Sequence, residues 1–196
     1  MIHIERIVNR IFQSNTYIIS IDDSNDVWLV DVGDTERVID ILPQESRVCG
    51  VFLTHTHFDH IYGINILYDR FPDMVVYVAE EGFEALFSAK KNLSLYHESP
   101  LVYKGGNVIG LKNGSEIDLY HDIRLQAFST SGHSQDSMSF MIDNVYLFTG
   151  DAYIPSAPVI SKLPGGNKEK AAISRQLLID LSHGKMLLPG HGDIRM

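Results

Sequence analysis

Apolar residues fall into short runs separated by polar turns. Residues 2–8, rich in Ile and Val, predict a first strand. Residues 15–21 predict a second and 27–32 a third, with the polar stretch 22–26 as a turn. Thr35 is placed to cap a helix over 36–42, which Pro43 stops. Residues 48–53 read as a short apolar strand, 61–68 as a helix and 75–78 as another strand. A longer helix is expected over 80–90, then a surface loop over 91–106, near the site and broken at Gly105-Gly106. In the second half, 117–120 and 123–128 predict one hairpin. Residues 139–142 and 145–148 predict another, joined by Asp143-Asn144. Three prolines and two glycines make 154–167 a loop. The last helix is expected over 168–181 and the last strand over 185–188. Hairpins alternating with helices predict β-sheets covered by helices. No linker or low-complexity segment divides the chain, so residues 1–196 are expected to form a single domain.

One stretch stands out from this patterning. His55-Thr56-His57-Phe58-Asp59-His60 places four metal-capable side chains within six residues, directly after the apolar run Val51-Phe52-Leu53. In an extended chain alternate residues point the same way, so His55, His57 and Asp59 can converge while His60 faces elsewhere at the start of a helix. A helix would not do this, because residues two apart do not share a face. The expected geometry is a strand end feeding a loop, with ligands for more than one metal.

The same arrangement recurs along the chain. Apolar runs lead to His133 in Ser131-Gly132-His133-Ser134, to Asp151 in Thr149-Gly150-Asp151, to His191 in Pro189-Gly190-His191-Gly192, and to Asp31 after Val27–Val30. Side chains leaving the same ends of several strands meet at one edge of a sheet, where sites commonly form. Glycines beside three of them permit tight turns.

Composition narrows the setting. Hydrophobic residues make up 44% and charged residues 21%, ordinary for a soluble globular protein. A net charge of −9 argues against nucleic acid as a partner. Cys49 is the only cysteine, which excludes an intrachain disulfide; it is expected to be a buried core thiol. No stretch approaches the ~20 apolar residues of a membrane span, and the N-terminus lacks the apolar segment of a signal peptide. The expectation is a cytoplasmic protein with a small-molecule substrate and no membrane partner. Oligomeric state is not legible.

The ordered set HxHxDH, GH, GD and PGHG resembles the metallo-β-lactamase superfamily, and within it the glyoxalase II-like small hydrolases. The likeness covers nearly the whole chain. It implies an α/β (α+β) fold, the αββα four-layer sandwich of two mixed β-sheets flanked by helices. It also implies that His55, His57 and His133 hold one metal, that Asp59, His60 and His191 hold a second, and that Asp151 bridges both. Two divalent ions are implied, zinc foremost, with iron and manganese also accepting His and Asp ligands. Ions ~3.5–4 Å apart can share a hydroxide that attacks an acyl carbon. Asp59 would be the catalytic proton acceptor and donor, and Asp31 would orient a ligand histidine.

The implied activity is a metal-dependent hydrolase using a metal-bridging hydroxide on a small acyl substrate, foremost a thioester as in hydroxyacyl-thiol hydrolysis, with lactones as an alternative. The chain stops five residues after His191. The helical C-terminal domain with which full-length glyoxalase II helps bind glutathione thioesters is therefore expected to be absent, which argues against hydroxyacylglutathione itself. It also lacks the cysteine ligand of the best-known β-lactamases, which argues against a periplasmic antibiotic hydrolase. A mononuclear iron oxygenase acting on a glutathione persulfide is the main alternative. A nuclease is disfavoured by charge, and a ligand sensor by the intact ligand set. Outside the motifs, His3, His97, His121 and His183 are expected at the surface or in hydrogen bonds. Lys162 and Asn167 belong to the solvated loop, and Tyr153 is placed to line either pocket or core.

Overall fold

In Val27-Trp28-Leu29-Val30, successive side chains enter different cores. Val27 and Leu29 pack on one face of a sheet, Trp28 and Val30 on the other. A strand buried on both faces reads as a continuous apolar run, and that is how this segment reads. The computed structural model describes residues 1–195. Six strands form the first sheet, in the order β1 (Ile2–Val8), β2 (Asn15–Ile21), β3 (Asp26–Val30), β4 (Arg47–Phe52), β5 (Val75–Ala79) and β6 (Val108–Leu111). The pairs from β1 to β3 are antiparallel and those from β3 to β6 parallel. The second sheet runs β11 (Met186–Pro189), β10 (Tyr146–Gly150), β9 (Met138–Ile142), β8 (Ile123–Ser129), β7 (Glu116–Tyr120). Only its β10–β11 pair is parallel, so both sheets are mixed.

Three buried clusters define four layers. Helices α1 (Thr35–Ile41), α2 (Phe58–Ile61), α3 (Ile64–Arg70) and α4 (Phe83–Leu86) cover the outer face of the first sheet through Val38, Ile61, Leu67 and Leu86. The two sheets face each other through Trp28, Phe52 and Tyr77 on one side and Phe140 and Phe148 on the other. Phe52 stacks on Tyr77 at 4.6 Å and on Trp28 at 5.6 Å. Such pairs contribute about 0.5–1.5 kcal/mol beyond the area they bury. The Trp28 indole donates across the interface to the Leu119 carbonyl at 3.2 Å, satisfying its one polar group. Helix α5 (Lys168–Ser182) closes the last layer, with Leu178 against Leu147 and Leu187. The architecture is the αββα sandwich. No helix among the described residues is long and apolar enough to cross a membrane.

Several elements differ from their sequence reading. Thr35 does not cap α1; it begins the helix, and its hydroxyl donates to the Gly63 carbonyl at 2.8 Å. The helix expected over 61–68 starts earlier, at Phe58, because Phe58 and Ile61 both bury into the core, and it divides at Gly63 into α2 and α3. The long helix over 80–90 is a 3₁₀ turn over Glu80–Gly82 followed by the four-residue α4. The Leu86 carbonyl is taken by the Tyr103 amide at 2.9 Å, so the chain bends into 91–106 instead of winding on. That segment is not simply a surface loop, since Asn92, Ser94, Leu101 and Tyr103 are buried. Strand β6 has no sequence reading; as a half-exposed edge strand interrupted by Gly110, it lacks a clean alternation. Cys49 is half-buried rather than buried, and burial pushes its thiol pKa up. The hairpin at Asp143-Asn144 forms as expected, with both residues at positive φ, as tight hairpins of the favoured twist require.

Candidate metal centre

Five strand ends converge. Parallel neighbours release their following residues at the same level, and Val30 pairs with Phe52 while Gly150 pairs with Pro189. Asp31 and the histidine motif therefore leave the first sheet together, and Asp151 and His191 leave the second together. His133 follows β8 through Thr130–Gly132. Two glycines make the approach feasible. Gly150 sits at φ +50°, and a Cβ there would meet Thr54 Cβ at 2.6 Å. A Cβ at Gly190 would lie 2.2 Å from Asp151 Oδ1.

All seven side chains of the motif set meet at this edge, in overlapping groups whose donor atoms lie within 4.8 Å of one another. His55, His57 and His133 form the first group. His57 Nδ1 and His133 Nε2 face each other at 2.9 Å. His133 Nδ1 donates to the Ile160 carbonyl at 2.7 Å, which leaves its Nε2 lone pair pointing inward. Asp59, His60 and His191 form the second group, with the two Nε2 atoms 3.3 Å apart and Asp59 Oδ2 3.3 Å from His191. His191 Nδ1 donates to the Phe12 carbonyl at 3.1 Å. Asp151 reaches both groups, its Oδ2 lying 3.6 Å from His133 Nε2 and 3.4 Å from His191 Nε2. His55, His60 and Asp151 also converge as a third set.

The extended-chain argument holds for His55 and His57 but not for Asp59. Residues 58–61 are helical, so Asp59 turns away and joins His60 and His191. Asp31 lies beneath His60, its Oδ2 accepting from His60 Nδ1 at 2.8 Å. Its two oxygens also accept from the Thr54 amide and hydroxyl, each at 2.7 Å.

The donor set fits a cation. His55 Nε2 and Asp151 Oδ1 are buried and have no hydrogen-bond partner among the described residues. Buried polar atoms are otherwise almost always paired, so orphaned donor atoms inside a converging His/Asp cluster point to a bound ion. The charges agree. Burial opposes a charge on His60, but Asp59, Asp151 and Asp31 push it up to about 9. Burial likewise opposes charge on His191, while bonds to Asp151 and Asp59 push it up to about 10. Burial alone would raise Asp59 and Asp151, yet His60 and His191 hold both below the usual carboxylate range. The other group is the reverse: burial and the neighbouring imidazoles push His57 down to about 4 and His55 well below its ordinary value. One half of the cluster holds protons where a cation would sit, and the other half keeps its lone pairs free.

A cavity of about 510 Å³ opens onto the cluster, lined by His57, Asp59, His133, Asp151 and His191 at its floor. Its walls are apolar and come from three loops: Phe12 from the β1–β2 turn, Leu93, Tyr96 and His97 from the 91–106 segment, and Ile154, Ile160 and Leu163 from the 154–167 loop. His97, expected at the surface or in a hydrogen bond, is part of this wall, stacked on Phe58 at 4.3 Å. His3, His121 and His183 are exposed and bond locally to Asp22, Asp122 and the Asp180 carbonyl. Lys162 does not line the cavity, and Asn167 caps α5 by accepting from the Lys170 amide at 2.9 Å. Tyr153 packs beside the α5 core, under the Arg175 guanidinium.

Two contributions have no counterpart in the sequence reading. Asp136 Oδ2 accepts from the Thr56 amide at 2.9 Å and its hydroxyl at 2.6 Å, bracing the backbone between His55 and His57. Its one sequence signal is a carboxylate three residues after His133 in a polar run that turns out to be buried. The Phe12 and Ile160 carbonyls are main-chain atoms, which no residue pattern announces. Phe12, Asp31 and Leu93 also adopt positive φ without being glycine, and such strain gathers at functional sites.

Fold and donor cluster together define a metal-centre protein on an αββα scaffold. The sequence model of the metallo-beta-lactamase superfamily matches residues 9–191, and the chain belongs to that superfamily. It is similar to a probable metallo-hydrolase of Streptococcus pyogenes serotype M6, with 31% identity over 98% of this chain and 84% of the relative. A hydroxyacylglutathione hydrolase of Glaesserella parasuis serovar 5 is 29% identical over 71% of this chain and 50% of its own length. The chain thus spans about half the length of the hydroxyacylglutathione hydrolases it matches. The crystal structure of the BLEG-1 B3 metallo-beta-lactamase superposes with a TM-score of 0.88 at 25% identity, covering 98% of this chain and 93% of that one.

Proposed function

We propose that the protein is a metal-dependent hydrolase of small acyl compounds, and that thioesters are its preferred class. The observation that carries the reading is the cavity: five of the seven clustered donors form the floor of one space of about 510 Å³, a size suited to small ligands. In this reading His55, His57 and His133 hold one divalent cation, Asp59, His60 and His191 hold a second, and Asp151 serves both. Zinc is the first choice, since imidazole and carboxylate donors suit it. When bound, such cations polarise a substrate carbonyl and make water acidic enough to be a nucleophile near neutral pH. The chain's own groups do the rest. Asp59, held ionised by His60 and His191 at the cavity floor, takes a proton from water and returns it to the departing group. Asp31, the Ile160 carbonyl and the Phe12 carbonyl each fix one histidine's ring and tautomer, keeping the opposite nitrogen aimed inward.

Similarity to hydroxyacylglutathione hydrolases supports the thioester class, and likeness to a B3 metallo-β-lactamase makes β-lactams the rival. The core shared by the two sheets supports reading residues 1–196 as a single metallo-β-lactamase-like domain. The test is a side-by-side turnover screen of the metal-loaded protein on S-lactoyl and S-acyl thioesters, a lactone and a β-lactam, with metal content measured on the same sample. Thioester turnover well above β-lactam turnover, with about two cations per chain, is the expected result. A clear preference for β-lactams overturns the substrate class. One iron per chain with oxygen consumption on a persulfide overturns the hydrolase.

A further inference from the structure

We infer that the site selects thioesters with an apolar acyl group over those bearing polar or charged groups, an inference that rests on the hydrolase reading above. The cavity walls carry it. Phe12, Tyr96 and Ile160 are 66%, 73% and 59% exposed although large and apolar, and all three turn toward the same space. Scattered exposed apolar residues are ordinary, but several gathered at the mouth of one cavity mark a surface that a ligand covers. The wall is also built rather than incidental. Phe12 packs edge-on against His97 at 5.7 Å, and His97 stacks on Phe58 at 4.3 Å, so one side is a continuous aromatic ladder. Leu163 and Ile160 stand in the 154–167 loop.

Charge points the same way. Among the described residues no lysine or arginine lines the cavity walls. A carboxylate-bearing thiol such as glutathione finds no cationic side chain on the walls to pair with, whereas a hydrocarbon chain or aryl ring finds apolar walls. The reaction is ordinary hydrolysis. Water oxygen bonds to the acyl carbon, the C–S bond breaks, and the thiolate leaves with a proton, giving a free carboxylic acid and a thiol.

The acyl series holds the thiol constant, and S-lactoylglutathione changes thiol and acyl group together. Acetyl, butyryl, hexanoyl and phenylacetyl thioesters of N-acetylcysteamine are compared by kcat/KM with the metal-loaded protein, beside S-lactoylglutathione. Each buried methylene is expected to add about three- to fourfold, on the order of 100-fold from acetyl to hexanoyl. S-lactoylglutathione should fall well below the hexanoyl ester. Tyr96→Ser and Leu163→Ser should each shrink the hexanoyl-to-acetyl ratio by about tenfold. A flat chain-length series, or a preference for S-lactoylglutathione, overturns the inference and leaves the hydrolase standing. Calorimetric binding of the S-hexyl and S-methyl thioethers of the same thiol separates the two ideas. Tighter S-hexyl binding without turnover of any thioester sinks the hydrolase but keeps the apolar site. Equal binding of the two thioethers overturns the apolar site whatever the turnover.

Discussion

His60 Nδ1 donates to Asp31 Oδ2 at 2.8 Å, and neither side chain is measurably open to solvent, at 0% and 2% exposure. Asp31 adopts φ 57° as it leaves β3, which turns its carboxylate back under the histidine. The bond leaves His60 Nε2 facing Asp59, Asp151 and His191.

Asp31→Asn keeps the volume but replaces the carboxylate under His60 with an amide. Partners of this kind typically tune metal affinity by about 10–100-fold. The apparent affinity of the cation assigned to Asp59, His60 and His191 should fall by that factor, with near-native circular dichroism, in a competition titration against a chromogenic chelator. An unchanged titration would show that His60 needs no carboxylate beneath it.

His60→Ala and His57→Ala separate a two-cation from a one-cation centre. With both cations at work, each substitution should cost roughly 10²–10³ in rate, the usual worth of one lost electrostatic contact. Each should also leave about one metal per chain by elemental analysis. If His60→Ala retains its metal count and its rate, the two-cation arrangement is wrong.

Gly190→Ala drives a methyl group to 2.2 Å from Asp151 Oδ1, on rigid backbone between β11 and His191. Displacing Asp151 disturbs both donor groups, and misplacement of about 1 Å at a reacting centre can cost on the order of 10²-fold. The expected result is a folded protein with reduced metal content and at least that loss of turnover. A fully loaded, fully active variant would mean that Asp151 has room the packing does not show.

Metal removal and pH should act together. In the metal-free chain His60 and His191 titrate near 9 and 10, above the unfolded value of about 6.5. Their contribution to stability is therefore complete below about pH 6.5 and is lost as pH rises through 9 to 10. His57 is depressed to about 4, so its contribution is present above about 6.5 and lost as pH falls from there toward 4. The melting temperature of the chelated protein should peak near pH ~6.5, fall on either side, and lie below that of the metal-loaded protein. Cation binding should release protons near neutral pH, detectable as a buffer-dependent calorimetric heat. A chelated protein that melts at the loaded temperature, or binding without proton release, would place the cation outside this cluster.

How much was legible in the sequence follows from the range of the interactions involved. Strand positions came through well because the burial of β2, β3, β4 and β10 is written as runs of apolar residues. The donor residues came through because His, Asp and Gly recur at the ends of those runs, and their identity is a one-dimensional fact. The family resemblance implied their grouping; what only the tertiary structure decided is the geometry that brings them together and their surroundings. Asp59 joined His60 and His191 because Phe58 and Ile61 draw the chain into a helical turn to bury themselves, overriding the extended geometry that alternate spacing implies. Asp136 reached Thr56 across 80 positions of sequence, and the Phe12 carbonyl reached His191 across 179, through contacts that no local pattern encodes. The apolar wall likewise exists only where three separate loops meet. Hydrophobic periodicity is a property of neighbouring residues and survives in one dimension; convergence of distant strand ends is a property of sheet register, and it appears only when the sheets have formed.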